Sequence, residues 1–207
     1  MSQFFEVHRD NPQPRLMKQA AAIIREGGIA VIPTDSCYAL ACHLDDKSAV
    51  ERIRRIREVG KNHNFTLMCR DLAEIATYAR VENNVYRLLK SFTPGAYTFL
   101  LRATAIVPRR LQHPKRKTIG IRVPDSAIVG CLLNEFGEPL MTSTLILPGS
   151  ELPETDAYDI REKLEHDIDL VVDGGHCGIE PTTVVDLLDA APKLVRQGKG
   201  PIEGLIE

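Results

Sequence analysis

Apolar residues recur along this chain with two periods, about 3.6 residues in some stretches and two in others, and their succession outlines the fold. Leu16 to Arg25 puts its apolar positions on one helical face, and Gly27 and Gly28 close that helix. Ile29 to Pro33 (IAVIP) follows at once, short, apolar and rich in β-branched residues, as a buried strand is. Lys47 to Val59 predicts a second helix, with Val50, Ile53 and Ile56 at every third position and arginines between them. Phe65 to Cys69 (FTLMC) reads as a strand and DLAEIATYA as another helix. Further strands are expected at YTFLLRA, TIGIRV, PLMTSTLIL, IDLVV, TTVVDL and KLVRQ. Helices and strands alternate early, whereas the second half is richer in strands. That order predicts an α/β fold of α+β character, a mixed sheet packed by helices rather than a parallel doubly wound one. Pro148 to Thr155 (PGSELPET) reads as a surface loop. Without repeats or a low-complexity linker, residues 1–207 are expected to form a single domain.

Composition narrows the functional classes. A chain of 207 residues with 43% hydrophobic content can bury a sizeable core. Its net charge of -2 excludes wholesale, histone-like binding to nucleic acid, so any such role rests on a local patch. No apolar run approaches the roughly 20 residues that span a bilayer, and MSQFFEVHRDNPQPR lacks the apolar stretch of a secretory leader. A cytoplasmic location, no membrane partner and reduced thiols are the resulting expectations. The five cysteines are dispersed without a C-x-x-C pair, and FTLMC, GCLL and SCYALAC read theirs as small core hydrophobes. His43, His113, His166 and His176 form no HxxxH or HExxH arrangement, so no metal site is expected.

Four stretches carry candidate chemistry. PTDSCY (Pro33 to Tyr38) lies just past the IAVIP strand, where open α/β sheets bind ligands. Thr34 and Ser36 there can donate to a carboxylate or phosphate oxygen, and Asp35 can accept from an amine or hold a cation. The same residues read equally well as a turn that ends the strand. The second stretch runs through Arg52, Arg54, Arg55 and Arg57 to Lys61 and His63 in GKNHN. It is either a solvated helix face or a phosphate contact through Arg57, Lys61 and His63. The third, RRLQHPKRKTIGIR, carries Arg109, Arg110, Lys115, Arg116, Lys117 and Arg122 with no acid. That asymmetry is the footprint expected for a polyanion, though an exposed loop kept soluble by charge reads the same. With no Trp and 5% aromatic residues, a stacking platform for single-stranded RNA is poorly supplied. A duplex backbone or a small nucleotide fits better, and nothing suggests a reader of DNA sequence. The fourth, DGGHCGIEPTTVVDLL followed by KLVRQGKG, combines a glycine-rich turn with Thr182, Thr183 and Arg196. Neither a P-loop nor a GxGxxG fingerprint is present.

The succession PTDSCYAL, TPGAYTFLL, IGIRVPD, DGG…GIEPTTVVDL and VRQGKG resembles the YrdC-like family, in its YciO branch. The family shows PTxTxYGL, PGPxTxxL, VAxRxP, a DGG…STVVDL string and RxG in this order. The match runs from about Gly28 to Gly200. The resemblance implies a twisted mixed sheet around a large, open, positively charged hollow. It also implies a link to threonylcarbamoyl-AMP synthases, which join threonine, bicarbonate and ATP into an acyl adenylate used to modify a tRNA adenosine. Binding of double-stranded RNA and tRNA is attributed to the family as well. No built-in cofactor is implied; ATP with Mg2+ would enter as substrate. By resemblance, Thr34 and Ser36 fall where the family handles threonine, and Arg122 on its VAxRxP arginine. Thr182, Thr183 and Arg196 fall on late positions facing the hollow.

Two signatures depart from the family. Its KxR reads Arg57-Glu58-Val59 here, keeping one cation and replacing the other by an apolar residue. Its SxN falls in Thr142-Ser143-Thr144-Leu145-Ile146, where Thr144 keeps the hydroxyl and Ile146 replaces the amide. Two lost charge-assisted contacts, at roughly 1.5–3 kcal/mol each, correspond to about two to four orders of magnitude in rate. The expected function is therefore binding of RNA or nucleotide phosphates in a basic concave site, with Ser143 and Thr144 among its ligands. The alternative is a threonylcarbamoyl-AMP synthase-like enzyme of weak or altered activity.

Overall fold

The computed structural model describes residues 1–60, 63–189 and 191–205. Among them are ten strands and six helices. In chain order these are β1 (Gln3–Glu6), α1 (Pro14–Arg25), β2 (Ala30–Ile32), β3 (Ala39–His43), α2 (Lys47–Arg57) and β4 (Thr66–Met68). Then come α3 (Leu72–Tyr78), α4 (Asn83–Phe92), β5 (Tyr97–Arg102), β6 (Thr118–Arg122) and α5 (Ala127–Phe136). The chain continues through β7 (Leu140–Thr144), α6 (Ala157–Leu164), β8 (Leu170–Asp173), β9 (Thr183–Asp186) and β10 (Lys193–Arg196). The strands form one sheet in the order β1-β8-β2-β3-β7-β4-β6-β5-β9-β10. β1–β8, β2–β8, β4–β6 and β5–β9 pair in parallel, and the remaining neighbours are antiparallel. The sheet is mixed, as the strand-rich second half predicts.

Local sequence explains the early elements. Pro14 opens α1, where a missing N–H costs nothing, and Met17, Ala20, Ala21 and Ile24 form its buried stripe. Gly27 takes φ +88°, the left-handed conformation that stops a helix and that a side chain resists. Asp46 caps α2 by accepting from the Ala49 N–H at 2.9 Å.

The two faces of the sheet are covered unequally. Val31, Leu40, Leu67, Phe99, Ile121, Val171 and Val185 face one way and share a core with Val50 and Ile53 of α2, Leu89 of α4 and Ile160 of α6. On the other face, Ala30, Ile32, Ala39, Ala41, Leu170 and Val172 pack under α1 and α5, which also pack on each other. That second cluster reaches Met68 and Leu140 but takes no side chain from β5, β6 or β9. The face above those three strands is left open.

The β1, β3, α4, α5 and α6 segments escape the hydrophobic pattern. β3 presents Ala39 and Ala41 to the helices, and alanine carries little strand signal. α5 buries Ile128, Val129, Leu132, Leu133 and Phe136, a spread too wide for a clean stripe. All five cysteines are free thiols, four of them buried. Among the described residues no helix is long and apolar enough to cross a membrane. The segment after β10 is pinned back: Thr183 Oγ1 donates to the Gly200 carbonyl at 2.5 Å, and the Tyr97 hydroxyl to that of Pro201 at 2.9 Å.

Neighbouring residues of β5 should therefore differ in cost. Phe99→Ala, on the fully covered face, is expected to destabilise by about 3–5 kcal/mol. Leu100→Ala, on the open face, should cost less, and urea unfolding of both variants measures the difference.

Candidate anion-binding site

The open half of the sheet holds a cavity of about 440 Å³. Strand alternation builds its floor: Thr66 and Met68 of β4, Arg122 of β6, Thr98 and Leu100 of β5, and Thr182 and Val184 beside and on β9. At its far wall the β7 end supplies Thr142, Ser143 and Thr144, and the end of α2 supplies Arg57. Asn64, His63 and Ile146 complete that wall, and Arg196 closes the opposite one. Among the described residues, none that lines the cavity is a carboxylate.

Each cation is held differently. Arg57 Nη1 donates to Ser143 Oγ at 2.6 Å and its Nε to the Ile146 carbonyl at 3.1 Å. Its guanidinium is pulled below its ordinary pKa by burial alone. His63 Nε2 lies 3.2 Å from the same Ser143 Oγ, and its ring packs edge-on against Phe65 at 5.0 Å between centroids. Burial first, then Arg57 and Arg54, push the His63 imidazole down to about 4, so it is neutral at pH 7. Arg196 is exposed at the rim, with Nε and Nη2 directed at the Thr182 carbonyl at 3.3 and 2.9 Å. Partial burial lowers its pKa too.

Arg122 is buried, and burial lowers its guanidinium while the paired Asp35 carboxylate opposes that fall. Its Nη2 donates to Asp35, to Ser36 Oγ at 3.1 Å and to Thr34 Oγ1 at 3.4 Å. Its Nε has no partner among the described residues. Asp35 Oδ2 accepts from the Asp125 N–H at 3.0 Å, and the Asp35 carbonyl from Lys199 Nζ at 2.5 Å. Asp35 thus serves as the counter-ion of a buried arginine rather than as a free acceptor for ligand amines.

The candidates from the sequence separate into three groups. Arg57, His63, Arg122, Ser143, Thr144, Thr182 and Arg196 come together in the cavity. Thr34 and Ser36 do not line it. Thr34 Oγ1 donates to the Cys37 carbonyl at 2.7 Å and accepts from the Ser36 N–H at 3.1 Å, so the turn reading describes it. Thr183 faces the other way as well, because its hydroxyl is bound to Gly200 behind the sheet. Thr182 lines the hollow, whereas Thr183 does not. Lys61 lies outside the described residues.

The basic loop is only partly free. Arg116 pairs with Asp186, and Arg110 Nη2 donates to the Leu44 carbonyl at 2.9 Å. Arg109, Lys115 and Lys117 are exposed. Sequence reasoning missed Thr66, Thr98 and Thr142 on the floor; the alternation of YTFLLR and FTLMC carried that signal. Thr98 and Thr182 bond hydroxyl to hydroxyl at 2.8 Å across β5 and β9.

This fold has counterparts among known proteins. A family model described as telomere recombination, covering Sua5, YciO and YrdC, matches residues 22–198. The chain belongs to the Sua5/YciO/YrdC family. It is 54% identical to the Escherichia coli (strain K12) protein YciO over 98% of both chains. The crystal structure of E. coli YciO superposes with a TM-score of 0.95 over 98% of each chain. Pyrococcus abyssi Sua5, solved in complex with L-threonine, is 26% identical with a TM-score of 0.90, covering 99% of this chain and 60% of that one. The threonylcarbamoyl-AMP synthase of Bacillus subtilis (strain 168) is 29% identical over 97% of this chain and 58% of its own length. Ile146 lines the cavity wall, whereas Val59 does not.

The imidazole also sets a pH dependence. Between about 4 and 6.5 the unfolded chain binds more protons at His63 than the folded one, because the folded pKa is depressed. Its contribution to stability is complete above pH 6.5 and fades as the pH falls toward 4. His63→Gln should therefore flatten the loss of stability across this window, as read from urea midpoints measured at pH 4 to 7.

Proposed function

We propose that the chain binds nucleotide phosphates in this cavity and engages RNA, as duplex or tRNA, through exposed cations of the loop before β6. Charge without counter-charge carries the reading. Arg57 and Arg196 contact only neutral oxygens among the described residues, and the lining offers no carboxylate. A guanidinium drawn out of water gains most from an anion, so the missing partner is assigned to the ligand. The volume of about 440 Å³ suits a mononucleotide-sized occupant. Exposed Arg109, Lys115 and Lys117 offer an RNA backbone further phosphate contacts without stacking.

A second reading is synthase-like turnover, with ATP and Mg2+ as substrate. What favours it is the grouping of Arg57, Arg122 and Arg196 around one cavity in a fold shared with threonine-complexed Sua5. Ile146 weighs against efficient turnover by placing a hydrocarbon where the synthases carry an amide. Pyrophosphate release from ATP, bicarbonate and threonine above a no-protein blank separates turnover from binding alone.

AMP and ATP should raise the thermal unfolding midpoint. Saturation at 100 times the dissociation constant corresponds to about 2.7 kcal/mol. Arg57→Ala combined with Arg196→Ala should abolish that shift; no shift in the parent protein at millimolar nucleotide removes the phosphate reading.

RNA affinity measured by filter binding should fall steeply with salt, and Lys115→Ala should reduce the log–log slope by about 1. A flat salt response removes the RNA reading.

A further inference from the structure

A second hollow, of about 460 Å³, opens where β5 and β9 end, and it shares no lining residue with the first. Two guanidiniums mark it: Arg102 at the end of β5, and Arg80 on the segment between α3 and α4. Ala79 and Ala103 form an antiparallel bridge, and the Arg80 N–H donates to the Arg102 carbonyl at 2.8 Å. One step out from that bridge, Arg80 and Arg102 stand directly opposite each other. Opposed residues of an antiparallel pair hold their Cβ atoms about 4.5–5.5 Å apart on one face, and like charges placed so are destabilising.

Nothing within the fold relieves that repulsion. Neither guanidinium has an ion-pair partner among the described residues. The acids beside β9 are engaged elsewhere. Lys193 Nζ holds Asp189 at 2.5 Å, and Arg116 holds Asp186, whose Oδ1 accepts from the Leu188 N–H at 3.0 Å. These bonds fix the wall made by Leu188 and Asp189 while leaving both arginines without a counter-charge. Glu82, on the same wall, makes no side-chain bond to the first turn of α4.

We propose that this hollow is a separate binding site for a hydroxylated phosphomonoester of sugar-phosphate size. A terminal phosphate carries the dianionic charge that the opposed guanidiniums lack, and its oxygens accept from both forks at once. A polyphosphate or an RNA backbone fits less well. Glu82 and Asp189 place carboxylates on the wall, and these repel any phosphate beyond the first. The Glu82 carboxylate accepts instead from the hydroxyls of the ligand body. The volume of about 460 Å³ lies within the range of small-molecule sites and holds such a body beside its phosphate. The proposal does not rest on the nucleotide reading of the first cavity.

Ribose 5-phosphate is the probe, titrated calorimetrically into the full chain beside inorganic phosphate and ribose. Ribose 5-phosphate should bind, inorganic phosphate should bind about tenfold more weakly, and ribose should give no heat. Arg80→Ala and Arg102→Ala, both at exposed positions, should each weaken ribose 5-phosphate by roughly 10–100-fold. Ligand-free unfolding midpoints equal to that of the parent show that these variants fold. Arg57→Ala combined with Arg196→Ala should leave ribose 5-phosphate affinity unchanged. No heat from the parent protein at millimolar ribose 5-phosphate overturns the site, whether or not AMP binds elsewhere. So does binding that survives in folded Arg80→Ala and Arg102→Ala, or that is lost with Arg57 and Arg196, since the phosphate then sits in the first cavity. Equal affinity for inorganic phosphate and ribose 5-phosphate overturns the ligand class.

Discussion

A buried guanidinium with one counter-ion ties the open half of this molecule together. Arg122 rises from β6, and Asp35 meets it from a turn 87 residues away. The same Asp35 accepts from the Asp125 N–H before α5 and, through its carbonyl, from Lys199 near the end of the described chain. Three segments distant in sequence, the Asp35 turn among them, thus meet at one aspartate. Removing either partner of such a pair leaves a desolvated charge, at a cost of about 3–5 kcal/mol. The turn that holds Asp35 in place is itself closed by Thr34 Oγ1, which explains why a hydroxyl beside the carboxylate is spent internally.

From that anchor the rest of the site follows by strand alternation. β4, β5 and β6 point Thr66, Thr98 and Arg122 toward the side that α1 and α5 leave uncovered. Hydroxyls suit such a floor, because they tolerate water when the cavity is empty and bond to one another when it is dry. Threonine also fits the strand backbone well, so the residue serves local structure and site chemistry at once.

Much of this was legible in the residues. The strands IAVIP, FTLMC, YTFLLRA and TIGIRV announced themselves by composition, Arg122 and Arg196 came from the motif resemblance, and His63 came from the basic run that ends in GKNHN. Other features were hidden for physical reasons. Asp35 as partner of Arg122, and Asp186 as partner of Arg116, join residues 87 and 70 positions apart, which no local pattern encodes. Thr182 and Thr183 look equivalent in TTVVDL, but one lines the cavity and the other bonds to Gly200. α5 and β3 were obscured because burial on more than one side erases the polar half of a periodic pattern. The run of six cations from Arg109 to Arg122 read as one patch, yet Arg110, Arg116 and Arg122 are occupied by groups within the fold.

The parallel pairing of β5 with β9 brings together strands that β6, β7 and β8 separate along the chain. Thr98 waits on β5 for Thr182, and Arg196 arrives later still. During synthesis on the ribosome, the earlier strands can pair while one wall of the cavity has not yet been made. Long-range parallel closure of this kind is slow. Val185 of β9 joins the core as Thr182 joins the cavity floor, so a half-made copy has neither a closed core nor a finished hollow.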